Sequence, residues 1–440
     1  MAVDANTAAS MGSGGSARQF PLLAILVVAL LVRVAVVLLT VDSRVPEGDL
    51  QYDMYATNLL EGKGFRIDGL LSVTGGERPG EFGLDTLYSF KPPLYPAFLA
   101  AVYRLMGRNF VAVGLAQAVL GALTCLLAFR VARRIFDGRT AAITAAVLAL
   151  YPYHVFMVGR VSDTTLFTTL TVASVLLLYR LGQAPSALNG LAAGLVTGLA
   201  ILCRPNLVFF VPVAALWLLL TTRPGVRAWG SALTFAAGVV LALAPWAARN
   251  FRVHGQFVLL GTNGGYTFWQ SNNPSTEKHL RMRSDLDAVA FTEGIDWRKQ
   301  ELSKLSEVGQ DRWFYRQGLD FVRERPGAFL GLAWLKLRGL WGWTLYPESG
   351  GRIKNLAYSL SYGPLLLLAV AGFIAARRFR ETSLILGLVA AFSLVYAVFY
   401  GKTIYRTPMD PLLFVFSAYC LGRIWELLRR SRQPSGSVAA

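Results

Sequence analysis

Long apolar stretches alternate with shorter polar loops through most of this 440-residue chain. A helix crosses the hydrocarbon core of a bilayer with about 20 predominantly apolar residues, and several of the stretches approach or exceed that length. The pattern predicts an all-α polytopic membrane protein, a bundle of about ten or eleven spans with external loops and interfacial helices. The ten clearest predicted spans are 20–41, 110–131, 140–158, 164–179, 188–203, 207–220, 229–248, 356–375, 382–400 and 408–428.

Two long polar segments divide this pattern. Residues 42–108 hold nine acidic residues and residues 249–325 hold ten, so nineteen of the 26 lie in these two segments. We expect both to be external, the first as a catalytic loop and the second as an acceptor-side segment. The remaining predicted regions are a disordered cytoplasmic tail at 1–18, a first span at 19–41, spans two to seven at 109–248, the C-terminal spans at 356–428 and a cytoplasmic tail at 429–440.

The segment 326–346 is apolar but is interrupted by Lys336 and Arg338. If it crossed the membrane, the basic run 377–380 would fall on the external side, against the positive-inside rule. We therefore expect 326–346 to be an interfacial or partly inserted helix.

The distribution of basic residues predicts how the chain is oriented in the membrane. The formal net charge is +17, and arginines cluster directly after apolar stretches at 130–139, 377–380 and 429–432. This distribution is typical of cytoplasmic loops and argues against nucleic-acid binding. We predict an integral protein of the plasma (inner) membrane with a cytoplasmic N-terminus.

Residues 48–96 begin where the chain leaves the first predicted span. Asp49 opens a short helical pattern that stops at Gly62, and Asp53 shares its face because residues four apart do. Asp49 also suits the N-cap position, a structural role that does not exclude a chemical one. Lys91 directly precedes Pro92, and Pro is favoured at the first position of a helix, whose free N–H groups attract anions. One loop thus offers a base and a phosphate ligand; the structural alternative for Lys91 is a snorkelling interfacial lysine.

A run of motifs resembles the GT-C glycosyltransferases. Residues 49–65 read D-x-x-Y-x-x-x-A-x-x-L-x-x-G-x-G-F and are followed by KPPLYP, similar to the first outer loop of family 39-like mannosyltransferases and of aminoarabinose transferases that modify lipid A. Later segments extend the resemblance: LAILCRPNL, APWAARNFRVHGQFVLLGTNGGYTFWQSNNP, ERPGAFLGLAWLKL and YRTPMDPLL. Together they cover most of residues 20–425.

The resemblance implies an inverting transfer of a sugar from a polyprenyl-phosphate donor to a lipid, glycan or protein acceptor on the non-cytoplasmic face. It places the catalytic aspartate at Asp49, with Asp53 and Asp163 as alternatives for a second acid. For Asp163, an ion pair with nearby Arg160 is the expected structural role. The expected ligands of the donor phosphate are Lys91, Arg204, Tyr405 and Arg406, whereas Arg249 fits a helix-end anchor as well as a ligand. The aromatic and polar residues expected to contact acceptor or sugar are Tyr52, Asn263, Tyr266 and Trp269.

Metal dependence stays open at this stage. In the aminoarabinose branch an acidic residue of a metal site precedes Lys-Pro-Pro, and here Phe90 occupies that position. The three histidines are not spaced as zinc ligands, and the three cysteines lie in apolar stretches, so no disulfide framework is implied. No cofactor is indicated with certainty, although Glu77, Glu81 and Asp85 could supply a divalent-metal site.

Two other functions fit parts of the sequence. A transporter or flippase of lipid-linked sugars would also use basic residues at helix ends, but no internal repeat is visible and the acids lie in outer loops. A non-catalytic membrane scaffold would leave the pairing of Asp49 with Lys91 unexplained.

Overall fold

The chain folds into a bundle of helices, with the described parts of two largely polar segments, 42–108 and 249–325, at one end; we call these the first and second external segments because they extend from the bundle. The computed structural model describes residues 20–45, 48–68, 86–222, 225–283, 301–346 and 351–431. In chain order the helices and strands are α1 (Phe20–Thr40), α2 (Leu50–Leu60), β1 (Ile67–Asp68), β2 (Thr86–Leu87), α3 (Leu94–Met106), α4 (Phe110–Ile135), α5 (Gly138–Leu150), α6 (Pro152–Met157), α7 (Thr164–Gln183), α8 (Ala187–Cys203), α9 (Phe210–Thr221), α10 (Val226–His254), α11 (Gly264–Gln270), α12 (Thr276–Arg281), α13 (Glu307–Glu324), α14 (Pro326–Trp341), α15 (Gly351–Ala376), α16 (Phe379–Val398), α17 (Thr403–Arg406) and α18 (Asp410–Ser431), with 3-10 turns at Pro205–Phe209, Glu301–Lys304 and Thr407–Met409.

Seven helices in the described part of the chain are long and apolar enough to cross a membrane: α1, α4, α7, α10, α15, α16 and α18. Shorter apolar helices fill in between them, at Leu94–Met106, Gly138–Leu150, Ala187–Cys203 and Pro205–Thr221. The prediction of an all-α polytopic membrane protein is confirmed.

The sequence-based boundaries need correction at two places. The stretch 140–158 is two helices, because the chain turns at Tyr151 and Pro152 restarts it as α6. The helix expected to begin at Lys91 begins at Leu94, since Pro93 occupies the N-cap position.

The two ends of the bundle differ in charge. At one end Arg378 donates to the carbonyl of Ile135, Arg134 donates to Gln183, and Arg139 pairs with Glu426. We call this the basic end. The opposite end is formed by the C-termini of α1 and α10 and the N-termini of α4 and α7, and both external segments are attached there. We call it the site end.

Small residues let α8 and α10 pack closely. Gly190, Gly194 and Gly198 recur every four residues on α8, and a Cβ at Gly194 would collide with the carbonyl oxygen of Phe235 on α10. On the partner helix, a Cβ at Gly238 would lie 2.6 Å from the carbonyl oxygen of Leu191. Glycines at this spacing allow two helix backbones to approach in a bilayer.

The polar segments meet above the site end. β1 and β2 form a two-stranded antiparallel ladder with Ile67 opposite Leu87. A separate aromatic core, which includes Tyr266, Trp269 and Phe314, joins the first external segment to the second. Helix α14 lies against the site end of α16, where Lys336 donates to the carbonyl oxygen of Val398 at 2.9 Å.

Candidate active site

Gly48 places Asp49 beside the loop that precedes α7. Gly48 has φ of +137° and forms a parallel bridge with Val161, whose carbonyl oxygen leaves no room for a Cβ. The backbone N–H of Asp49 donates to that same carbonyl oxygen at 3.0 Å. A side chain at position 48 would be strained by the positive φ and would collide with this backbone. The glycine therefore brings Asp49 close to Asp163, which follows Val161, the bridge partner of Gly48, by two residues.

The two carboxylate oxygens of Asp49 have different partners. Oδ1 accepts from the N–H of Gln51 at 3.0 Å, the N-cap contact expected from the sequence. Oδ2 accepts from Lys91 Nζ at 2.7 Å. The side chains are 35% exposed for Asp49 and 17% for Lys91, so the pair is partly shielded and still open to a ligand.

Lys91 is held over aromatic rings. Its Nζ lies 5.1 Å from the centre of the Tyr52 ring and 5.9 Å from that of Phe90. Burial lowers the pKa of Lys91, but the attraction and hydrogen bond of Asp49 outweigh burial, so that its pKa is raised from the ordinary value. Lys91 is therefore a cation at neutral pH.

A second acid–base pair stands next to the first. Arg204, directly after α8, donates from Nε to Asp163 Oδ2 at 3.0 Å and from its second amino group to Oδ1 and to the hydroxyl of Thr164. Both side chains are buried. The expected partner of Asp163 was Arg160, and the structure corrects this: the partner is Arg204, which lies 41 positions later. The planar guanidinium of Arg204 meets the carboxylate of Asp163 with two parallel bonds, a geometry typical of strong arginine–carboxylate pairs.

A cavity of about 1300 Å³ is lined by both pairs. It exceeds the size of an ordinary small-molecule site, which is roughly 300–1,000 Å³. Of the residues predicted from sequence, those that line it are Asp49, Tyr52, Lys91, Asp163, Arg204, Asn263, Tyr266 and Tyr405. Its walls come from both external segments and from the site ends of the helices.

Four of the predicted residues lie elsewhere. Arg406 is fully buried, donates to Asp410 Oδ1 at 3.0 Å and stacks 3.4 Å from the centre of the Tyr362 ring. Asp53 is held by Tyr103 at 2.8 Å and by Arg108 at 2.7 Å.

Trp269 packs in the aromatic core, 5.2 Å from the Phe314 ring, and does not line the cavity. Arg249 donates to the carbonyl oxygens of Tyr88 and Phe65, the anchoring role that the sequence left open for it.

The structure adds cavity residues that sequence reasoning missed: Tyr315, Lys354, Tyr396 and Lys402. The ring of Tyr396 stacks in parallel on that of Tyr405, with centres 5.0 Å apart. Clustered tyrosines offer amphipathic faces suited to a sugar. The linear spacing of these residues carries no signal, because they come from four different elements.

Metal ligation is not evident in the described ranges. Within them, no group of three or more histidine, cysteine, aspartate or glutamate side chains is arranged to hold a metal ion. Glu77, Glu81 and Asp85, the residues that could supply a cation site, lie outside the described residues.

Comparison with known proteins gives a family match and a shared fold. Residues 90–248 match the family described as dolichyl-phosphate-mannose-protein mannosyltransferase. The structure aligns with the oligosaccharyltransferase of Archaeoglobus fulgidus in the apo form, with a TM-score of 0.59 and 16% identity over 93% of this chain and 51% of that one. ArnT from Cupriavidus metallidurans in the apo state aligns with a TM-score of 0.37 and 19% identity, over 93% of this chain and 78% of that chain. No curated protein sequence matches.

A further archaeal structure, AglB from Archaeoglobus fulgidus in complex with an inhibitory peptide and a dolichol-phosphate, aligns with a TM-score of 0.57 and 16% identity over 96% of this chain and 52% of that chain. This chain therefore spans about half the length of the oligosaccharyltransferase whose fold it shares. The family match begins one residue before Lys91 and includes Arg204. The family match over residues 90–248 and the fold shared with the archaeal oligosaccharyltransferase agree with the resemblance to the GT-C glycosyltransferases.

Proposed function

We propose that this protein is an inverting GT-C glycosyltransferase that moves a sugar from a polyprenyl-phosphate donor to a hydroxyl group of a lipid, glycan or protein acceptor. The observation that carries the proposal is the contact of Asp49 with Lys91 at 2.7 Å on the wall of a cavity of about 1300 Å³. A carboxylate and a cation side by side supply a base for the acceptor and a ligand for the leaving phosphate.

The proposed step balances without a cofactor. The acceptor hydroxyl gives its proton to Asp49 while its oxygen forms a bond to the anomeric carbon of the sugar. The bond from that carbon to the phosphate oxygen breaks, and its electron pair stays on the lipid phosphate. Lys91 and Arg204 stabilise the added negative charge. Phosphate is a competent leaving group, so one carboxylate is sufficient.

The contact between Asp49 and Lys91 suggests an order of events. While Lys91 donates to Asp49 Oδ2, that oxygen is occupied and is not free to accept the proton of an acceptor hydroxyl. A donor phosphate competes for Lys91 and, by drawing it away, frees Asp49 Oδ2 to accept a hydrogen bond from the acceptor hydroxyl. Binding of the donor would in this way prepare the base for the acceptor.

The position of the cavity fits a membrane-bound donor. Tyr52 and Lys91 from the first external segment and Arg204 at the end of α8 all face it. An isoprenoid tail can stay in the bilayer while its phosphate reaches these residues. The arginine-rich basic end is opposite the cavity, and by the positive-inside rule this supports a cavity on the periplasmic or extracellular side and an N-terminus in the cytoplasm.

Transfer by purified protein tests the proposal directly. We would reconstitute the wild type and Asp49→Asn in lipid nanodiscs with a panel of polyprenyl-phosphate sugars and membrane-derived acceptors, and identify the products by mass spectrometry. Wild type should form a glycosylated product, and Asp49→Asn should lose about 10²–10⁴-fold in turnover, the range expected for a general base.

Asp42→Asn is the matched control, because Asp42 is exposed in the same loop and only accepts bonds from nearby backbone N–H groups, such as that of Arg44. It should retain full transfer. Full turnover by Asp49→Asn would contradict the assignment of the base. Movement of a labelled lipid-linked sugar across vesicles without product formation would favour the flippase.

A further inference from the structure

A buried carboxylate from the second external segment holds the backbone just before Lys91. Glu307, the first residue of α13, accepts from the N–H of Tyr88 at 2.7 Å and from the N–H of Ser89 at 2.9 Å. It also accepts from the hydroxyl of Thr262. Glu307 is only 7% exposed, and its carboxylate is therefore a fixed acceptor of three hydrogen bonds.

The backbone carbonyl oxygens of Tyr88 and Ser89 and the Ser89 hydroxyl are bonded as well. Arg249 donates to the carbonyl oxygen of Tyr88 at 2.9 Å, and the N–H of Thr262 donates to the carbonyl oxygen of Ser89 at 3.0 Å. Arg249 also donates to the Ser89 hydroxyl at 2.9 Å and provides a positive charge close to the glutamate. Because buried polar groups are costly when unbonded, a fully bonded segment of this kind has one strongly preferred position.

Through these hydrogen bonds, the carboxylate of Glu307 is connected to two loops that line the cavity. Lys91 follows Ser89 by two residues, and Asn263, which lines the cavity, directly follows Thr262. The approach is close, because a Cβ at Gly261 would lie 2.7 Å from the carbonyl oxygen of Ser89. Glu307 thus ties the loop that carries the proposed phosphate ligand to the adjacent loop at 261–263, which also lines the cavity and which we call the acceptor-side wall.

We propose that Glu307 is a positioning residue that fixes Lys91 relative to the acceptor-side wall. The proposal rests on the proposed function, in which Lys91 binds the donor phosphate. Glu307 touches neither substrate and acts through the backbone of Tyr88 and Ser89. Loss of its carboxylate leaves two buried N–H groups unpaired and frees the backbone ahead of Lys91 to move.

Phosphate binding by the full-length protein in nanodiscs provides the test, with farnesyl phosphate as the probe. Glu307→Gln keeps the shape but presents an amide NH₂ where an acceptor is needed, and it should weaken binding by about tenfold, equivalent to 1.4 kcal/mol. Glu307→Ala should weaken it further. Glu324→Gln, at the exposed far end of the same helix, is the matched control and should bind like wild type.

A double-mutant cycle separates positioning of Lys91 from a general structural effect. If Glu307 acts through Lys91, Glu307→Gln should cost little in a Lys91→Met background, because the ligand it positions is already absent. Additive losses in the double variant would overturn the proposal. So would wild-type affinity in Glu307→Gln.

Two further measurements distinguish failure of the proposal for Glu307 from failure of the proposed function. Thr262→Val removes one bond to Glu307 and keeps the side-chain shape, so it should give a smaller, about twofold loss that also disappears in the Lys91→Met background. If Glu307→Gln does not fold, as judged by thermal unfolding and gel filtration, Thr262→Val is used in its place. If Lys91→Met binds farnesyl phosphate like wild type, the proposed function fails. If Lys91→Met loses binding while Glu307→Gln and Thr262→Val do not, only the role of Glu307 fails.

Discussion

Lys91 Nζ lies 2.7 Å from Asp49 Oδ2, although the two residues are 42 positions apart. Each is fixed by its own local structure, Asp49 by the N-cap of α2 and the bridge at Gly48, Lys91 by the ordered backbone that precedes it. Their contact is therefore built into the fold.

Gly48 should be intolerant of any side chain. Gly48→Ala places a Cβ against the carbonyl oxygen of Val161 at a positive φ, so the bridge must open and Asp49 must move. We expect transfer activity to fall at least tenfold, which corresponds to about 1.4 kcal/mol of lost transition-state stabilisation. Activity would be measured with saturating donor.

Gly62→Ala is the control for the effect of backbone strain alone. Gly62 also has a positive φ, of 73°, but a Cβ there meets nothing within 4 Å. This variant should keep nearly full activity. Equal losses of transfer activity in Gly48→Ala and Gly62→Ala would show that the close approach of Gly48 to Val161 does not matter for activity.

The pair of Asp163 and Arg204 should behave as a unit. Either Asp163→Asn or Arg204→Met leaves a buried group without its partner, at a cost of about 3–5 kcal/mol to stability. The double variant Asp163→Leu/Arg204→Met should recover much of that stability, because it buries no unpaired charge.

Thermal unfolding in detergent measures these stabilities, and a phosphate-binding assay accompanies it. We expect the double variant to be stable and yet weaker in binding the donor phosphate, because Arg204 lines the cavity. Wild-type affinity in this stable variant would remove Arg204 from the phosphate site.

Asp311 should make stability depend on pH. Burial raises its pKa to about 6, above the ordinary value of an aspartate, although the N–H of Gly265 donates to it at 2.7 Å. The folded state therefore holds this proton more strongly than the unfolded state does. The unfolding free energy should fall as pH rises from about 4 to about 6 and level off above that.

Thermal melts of wild type and Asp311→Asn across pH 4–7.5 check this expectation. The variant keeps an acceptor for Gly265 without the charge, so it should be the more stable of the two above pH 6, and their difference should shrink toward pH 4. Asp320→Asn, an exposed partner of Arg323, is the control. A difference between wild type and Asp311→Asn that does not change with pH would contradict the account.

The sequence alone predicts the features that depend on local pattern. Spans are visible because solvation in the bilayer requires about 20 apolar residues in a row. Asp49 and Lys91 could be identified as candidates because each lies next to residues that typically begin a helix.

Features that depend on long-range pairing are harder to predict. The partner of Asp163 was assigned to a neighbour in sequence, whereas the structure uses Arg204. Arg406 has the same helix-start signal as Lys91 and yet is fully buried. Its partner Asp410 lies four positions later, an i,i+4 spacing that favours a local ion pair and was available in the sequence. Glu307 could not be found this way, because the backbone it holds is 218 positions distant.

The central claim is that a donor phosphate takes Lys91 from Asp49, and affinity for farnesyl phosphate tests it most directly. Wild type, Asp49→Asn and Lys91→Met would be titrated in nanodiscs at pH 7 by isothermal calorimetry. The account predicts that Asp49→Asn binds as tightly as wild type or more tightly, since the competing carboxylate is gone. It predicts that Lys91→Met binds at least about tenfold more weakly, a loss of 1.4 kcal/mol or more. Weaker binding by Asp49→Asn together with unchanged binding by Lys91→Met would contradict it.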